Sequence, residues 1–211
     1  MVVALLVITA VSGGVLGLVY GMTKDAIAEV DQKKNEAAIK AVLPLENVTY
    51  VADTLKYNYE GVDLTFPCNL AYDANGNFLG AAVKTSEGGF GGKIDMMVGF
   101  LADGTIKGTS VLSHAETPGL GANMTGKFKD QFVDKNPADF KLAVSKDNTG
   151  GKIDAITAAT ITSRAFTKAV DKAYQAFMAN KAQYMNNAPV KETIPVAEET
   201  TETKEGGTEN E

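Results

Sequence analysis

Residues 69–85, NLAYDANGNFLGAAVKT, and residues 96–112, MMVGFLADGTIKGTSVL, decide the fold. Each sets short apolar runs on either side of a turn dipeptide, Asn75-Gly76 in the first and Asp103-Gly104 in the second. Such dipeptides tolerate the left-handed backbone of tight hairpin turns, so both stretches predict antiparallel hairpins. The wider region from about Asn47 to Leu112 reads as strands. Between the hairpins lies SEGGFGGKID, with Gly88, Gly89, Gly91 and Gly92. So many glycines bring the backbone close to whatever packs there. The segment is either a flexible loop or a surface that accepts a flat ligand.

Beyond the second hairpin, SHAETPGLGANMTGKF is broken by Pro118, Gly119 and Gly121 and predicts no regular structure. Phe128 to Phe140 is a candidate short helix, with Phe128 and Phe132 on one face. A longer helix is predicted to end near Met185, because Phe166, Ala169, Val170, Ala173 and Phe177 recur at helical spacing. The expected class is α+β: a twisted antiparallel sheet built from hairpins, with the final helix packed on one face.

Before the strands, the chain runs from Met1 to Thr23 with no charged side chain, long enough to cross a membrane as a helix. Gly13, Gly14, Gly17 and Gly21 lie within this run, and the spacing of four permits close packing against a partner helix. No basic residue precedes the apolar run and LGLVYGMTKDA is a poor cleavage site, so a retained anchor is favoured over a signal peptide. Lys24 to Leu43 has helical periodicity ending at Pro44, which predicts a stalk. Lys24, Lys33 and Lys34 follow the anchor, and charge alone would put that side in the cytoplasm.

The net charge of -6 argues against nucleic acid as a partner. From Pro189 onward there are seven Glu and two Lys and no aromatic residue, a composition that predicts a disordered acidic tail. Cys68 is the only cysteine and His114 the only histidine, so the chain cannot build a disulfide, a cysteine-based metal site or a multi-histidine site of its own. With so little chemistry in its side chains, a borrowed cofactor is favoured.

The segment with chemical content is Asp154 to Arg164, DAITAATITSR. Hydroxyls at Thr157, Thr160, Thr162 and Ser163 cluster just before the final helix. A helix start offers unpaired N–H groups and partial positive charge, which suits a phosphate. Ala158 and Ala159 let a bulky group approach the backbone, and Arg164 adds positive charge. Equally, Thr162 or Ser163 could be a simple N-cap.

This segment resembles the flavinylation motif of the FMN-binding domain found in the G subunit of Rnf-type complexes and in the C subunit of the sodium-pumping NADH:quinone reductase. The family pattern, Asp-x-x-Ser/Thr-Gly-Ala-Thr, falls on Asp154, Thr157, Ala158, Ala159 and Thr160, with Ala158 in place of the usual glycine. GGFGGKIDMMVGF and SHAETPGLG resemble the family's glycine-rich turn and the loop that packs near its flavin. The resemblance extends over about residues 1–185. It implies FMN carried on Thr160 through a phosphoester, with Thr162 as the fallback site. It also implies that Glu116, Thr117, Gly119 and Leu120 lie near the ring, with Thr117 in a position to hydrogen-bond it.

No base stands beside Thr160 to activate its hydroxyl, so self-attachment is disfavoured. The family implies a separate flavin transferase using FAD as donor, with Asp154 serving recognition by that enzyme or metal binding within it. The implied organisation is a transmembrane helix (1–23), a helical stalk (24–46), an FMN-binding domain (47–187) and an acidic tail (188–211). The implied role is electron relay within an Rnf-type, ion-translocating ferredoxin:NAD oxidoreductase complex, not catalytic alone. Its partners would be the other subunits and the transferase, and the domain would face the extracytoplasmic side. Other readings are the C-type component of the quinone reductase, a membrane assembly module without flavin, and a stand-alone reductase that binds FMN reversibly.

Overall fold

The computed structural model describes residues 2–185; the acidic tail expected at 188–211 lies outside them. The first element is one uninterrupted helix, α1 (Val2–Val42). Its 41 residues extend about 60 Å at 1.5 Å per residue. The apolar run and the predicted stalk are therefore one rod. Among the described residues it is the one helix long and apolar enough to cross a membrane. The rod stops just short of Pro44, where Tyr50 Oη donates to the Leu43 carbonyl at 2.9 Å.

Five strands follow: β1 (Thr49–Tyr59), β2 (Val62–Tyr72), β3 (Phe78–Gly88), β4 (Lys93–Leu101) and β5 (Ile106–Ser113). They form an antiparallel meander in chain order. Both predicted hairpin turns are present. Asp73 Oδ1 accepts the Asn75 and Asn77 N–H groups at 2.8 Å, and Asp103 Oδ1 accepts that of Thr105 at 2.8 Å. A third turn, Glu60-Gly61, joins β1 to β2 with both residues at positive φ (51° and 85°), the backbone that suits a two-residue hairpin.

Side chains alternate across the strands, so each face of the sheet needs its own cover. On one face, Val83, Ile94, Met96 and Phe100 pack with Phe166, Ala169, Val170 and Phe177 of the last helix, α2 (Thr160–Met185). On the other face, Ala71, Ala82 and Met97 pack with Ala38, Ile39, Val42 and Leu43. The end of the stalk thus belongs to the core. Paired Gly99 and Gly108 let the Val42 backbone lie directly on the sheet: a Cβ at Gly99 would overlap the Val42 carbonyl, and one at Gly108 would sit 2.9 Å from Val42 Cα.

The helix expected over 128–140 is not formed. A short 3-10 segment, Lys127–Phe132, takes its place, and a second one, Gly121–Thr125, forms within the stretch expected to be irregular. Beyond Phe132 the chain turns at Asp134 (φ 55°) and pairs with Ile106 at the sheet edge, through Asp134 N–H to Ile106 O at 2.8 Å and Ile106 N–H to Lys135 O at 2.9 Å. That pairing and Pro137 exclude a helical continuation. Phe128 and Phe132 are buried against Phe166, with ring centroids 5.3 and 5.1 Å from it, and this ties the segment to α2.

Candidate functional site

The start of α2 is held by a local lock. Ser163 N–H is the first to bond back along the helix, to Ala159 O at 3.0 Å. Its side chain, fully buried, also donates to Ala159 O and accepts the Ile156 N–H, each at 2.9 Å. Ala159 N–H donates to Ile156 O at 3.1 Å. This turn pins Ala158 at φ 58°, the left-handed region where glycine is at ease and alanine is strained. Thr160 then opens the helix, in the first turn where N–H groups lack intrahelical acceptors.

A second lock crosses the fold. Glu116 is buried, at 5% exposure. Thr162 Oγ1 donates to its Oε2 at 2.6 Å, and Gly91 N–H donates to its Oε1 at 2.9 Å. Glu116 N–H in turn donates to His114 Nδ1 at 3.2 Å. The glycines around it have a packing reason. A Cβ at Gly89 or at Gly121 would overlap the Glu116 carboxylate, and one at Gly91 would overlap the Ala115 carbonyl. The glycine-rich segment and the loop beginning at Ser113 are therefore one assembly, closed by the first turn of α2.

Above this assembly lies a cavity of about 400 Å³. Thr160, Ala158, Ala159 and Thr162 form one side, Glu116, Thr117, Leu120 and Gly121 another, and Phe90 and Ile161 complete the wall. Phe90 and Ile161 stand out into solvent, and Phe90 is 72% exposed. The size suits a small-molecule site, and so does an apolar wall with few polar groups. A hydroxyl at a helix start beside that wall fits a flavin phosphate with its ring system.

The sequence motif is split by the fold. Thr160 lines the cavity, whereas Asp154 and Thr157 line a neighbouring cleft with Asn123, Lys127 and Gln131. Asp154 is held there by a reciprocal pair with Gln131: its N–H donates to Oε1 at 2.8 Å and its carbonyl accepts from Nε2 at 3.1 Å. Thr162, the fallback acceptor, is 1% exposed with its hydroxyl committed to Glu116. Gly119 sits at φ 78° in the loop and does not line the cavity. Arg164 is turned to Asp147, its Nε donating at 2.8 Å, and this hydrogen bond holds the Asp147 carboxyl below its usual range. Phe90 and Ile161 escaped sequence reasoning; a large aromatic alone among glycines was the available signal.

Residues 89–175, which carry β4, β5, the cavity and the turn before α2, match the FMN-binding domain family, and this part of the chain is of the FMN-binding class. The G subunit of the ion-translocating oxidoreductase complex of Aliivibrio fischeri is 37% identical over 185 residues, covering 82% of this chain and 86% of that protein. The G subunit of the Na(+)-translocating ferredoxin:NAD(+) oxidoreductase complex of Acetobacterium woodii is 34% identical over 183 residues, 82% of this chain and 88% of that protein. The chain belongs to the family of G subunits of ion-translocating oxidoreductase complexes. The crystal structure of the C subunit of the Na(+)-translocating NADH-quinone reductase from Parabacteroides distasonis shares the fold, with a TM-score of 0.52 at 17% identity, covering 75% of this chain and 96% of that one.

Proposed function

We propose that this chain relays electrons within a membrane-bound, ion-translocating ferredoxin:NAD oxidoreductase complex, through FMN joined to Thr160 by a phosphoester. The observation that carries the reading is the position of Thr160: first residue of α2, half-buried, at the edge of a flavin-sized cavity. Thr162 is the weaker candidate because its hydroxyl is buried and engaged.

Attachment is a phosphoryl transfer without redox change. Thr160 Oγ1 bonds to the FMN phosphorus of FAD, the pyrophosphate bond breaks, AMP leaves, and the hydroxyl proton is lost. A flavin transferase supplies the base, and the exposed cleft around Asp154 and Thr157 is its point of recognition. Once bound, FMN supplies one- and two-electron chemistry. The chain's own residues would hold it: Thr160 would fix the phosphate, Phe90, Leu120 and Ile161 would give the ring apolar contacts, and Thr117 would offer a hydroxyl from the cavity wall. The apolar part of α1 anchors the chain, with the domain on the extracytoplasmic side and the remaining subunits around it.

The test is intact-mass analysis of denatured protein after expression with a flavin transferase. The expected result is a gain of FMN less one water in the native sequence and none in Thr160→Ala. A gain that persists in Thr160→Ala moves the site. No gain in the native sequence, with a transferase active on another substrate, sinks covalent attachment and favours the assembly module.

A further inference from the structure

Glu116 is a buried carboxylate with no cationic partner among the described residues. Three cations on neighbouring elements are engaged elsewhere: Lys93 with Asp95, Lys172 with Glu87, and Arg164 with Asp147. Both oxygens of Glu116 act as acceptors, one from Gly91 N–H and one from the Thr162 hydroxyl. An ionised carboxylate accepts at both oxygens in this way. The 2.6 Å contact to Thr162 also falls in the range of hydroxyl bonds to charged oxygen. Burying such a charge is costly, and hydrogen bonds offset only part of the cost. The missing Cβ atoms of Gly89 and Gly121 make the space the carboxylate occupies, and it lines the cavity that Thr160 borders.

Resting on the reading that this cavity holds FMN, we propose that Glu116 is the charge-setting residue of the site: its fixed carboxylate opposes the build-up of negative charge on the flavin and holds its reduction potential low. Beside a carboxylate as buried as Glu116, a like charge acts more strongly than in bulk solvent. The role is electrostatic rather than catalytic; Gln removes the charge and keeps a contact at each position only if its amide donates to the Thr162 oxygen where Glu accepts.

The experiment is spectroelectrochemical titration of the full-length, flavin-loaded chain in detergent, comparing the native protein with Glu116→Gln and Glu116→Asp. Glu116→Gln is expected to raise the two-electron equilibrium constant for reduction at least tenfold, a positive shift of about 30 mV. Glu116→Asp, which keeps the charge, is expected to move it less than threefold. A change below twofold in Glu116→Gln overturns the assignment, and so does an equal shift in both variants, because packing rather than charge would then be the cause. Should Glu116→Gln fail to fold or to load, the native protein still decides. Glu116 is the one carboxylate among the described residues lining the cavity, so the oxidised-minus-reduced infrared spectrum must contain a perturbed carboxylate band. Its absence refutes the proposal. A native chain that carries no flavin overturns the functional reading itself, and this assignment with it.

Discussion

Replacing Ser163 with alanine removes the lock that presents Thr160. The hydroxyl makes two bonds, but their losses are unequal. Ala159 O keeps the Ser163 N–H at 3.0 Å, so it stays satisfied. Ile156 N–H has the Ser163 hydroxyl as its acceptor and is left part-buried without one. An orphaned donor of this kind costs about 1–3 kcal/mol. For a protein of this size the melting temperature falls by about 2–4 °C per kcal/mol, so the expected drop is about 2–12 °C. The effect is also local. Amide hydrogen exchange at Ile156 and Ala159 is expected to quicken more than at Ala169 or Val170 in the middle of α2. The assay is a thermal melt combined with residue-resolved exchange. A melting temperature within about 1 °C of the native protein, with unchanged exchange at Ile156, would refute the claim that Ser163 holds this turn.

Two further outcomes test the geometry. Ala158→Gly relieves a left-handed alanine, and although glycine gives back some unfolded-state entropy, a net gain of about 0.5–1 kcal/mol is expected from chemical denaturation; a loss of stability would mean that the turn is not as described. Gly99→Ala drives a methyl into the Val42 carbonyl and should detach the end of α1 from the sheet, at a cost of about 3 kcal/mol or more. Proteolysis near Leu43 would report the detachment, and a variant as resistant as the native chain would rule it out.

Much of this protein could be read from neighbours in sequence. The turn residues at Asn75-Gly76 and Asp103-Gly104, the buried stripe of α2 and the unbroken apolar start are local signals, and local backbone preference and periodicity are enough to read them. The hydroxyl cluster at the start of α2 was legible as a pattern, but the N-cap role open to Thr162 or Ser163 is not formed: both lie inside the helix, and their hydroxyls bond Glu116, the Ile156 N–H and the Ala159 carbonyl. The predicted helix over 128–140 failed where a distant strand competed: pairing with Ile106 satisfied the backbone that a helix would otherwise have satisfied. Tertiary structure alone decided that residues 46 apart, Glu116 and Thr162, share a hydrogen bond, that Gly89 and Gly121 make room for the Glu116 carboxylate, and that Gly91 makes room for the Ala115 carbonyl. It also separated Asp154 and Thr157 from Thr160, since a left-handed residue at 158 reverses the chain between them. Likewise, the stalk's last turn covers the second face of the sheet, because a sheet whose alternation is apolar on both sides must bury both. Periodicity tells which side chains must be buried, but the partner that buries them is fixed only when the faces meet.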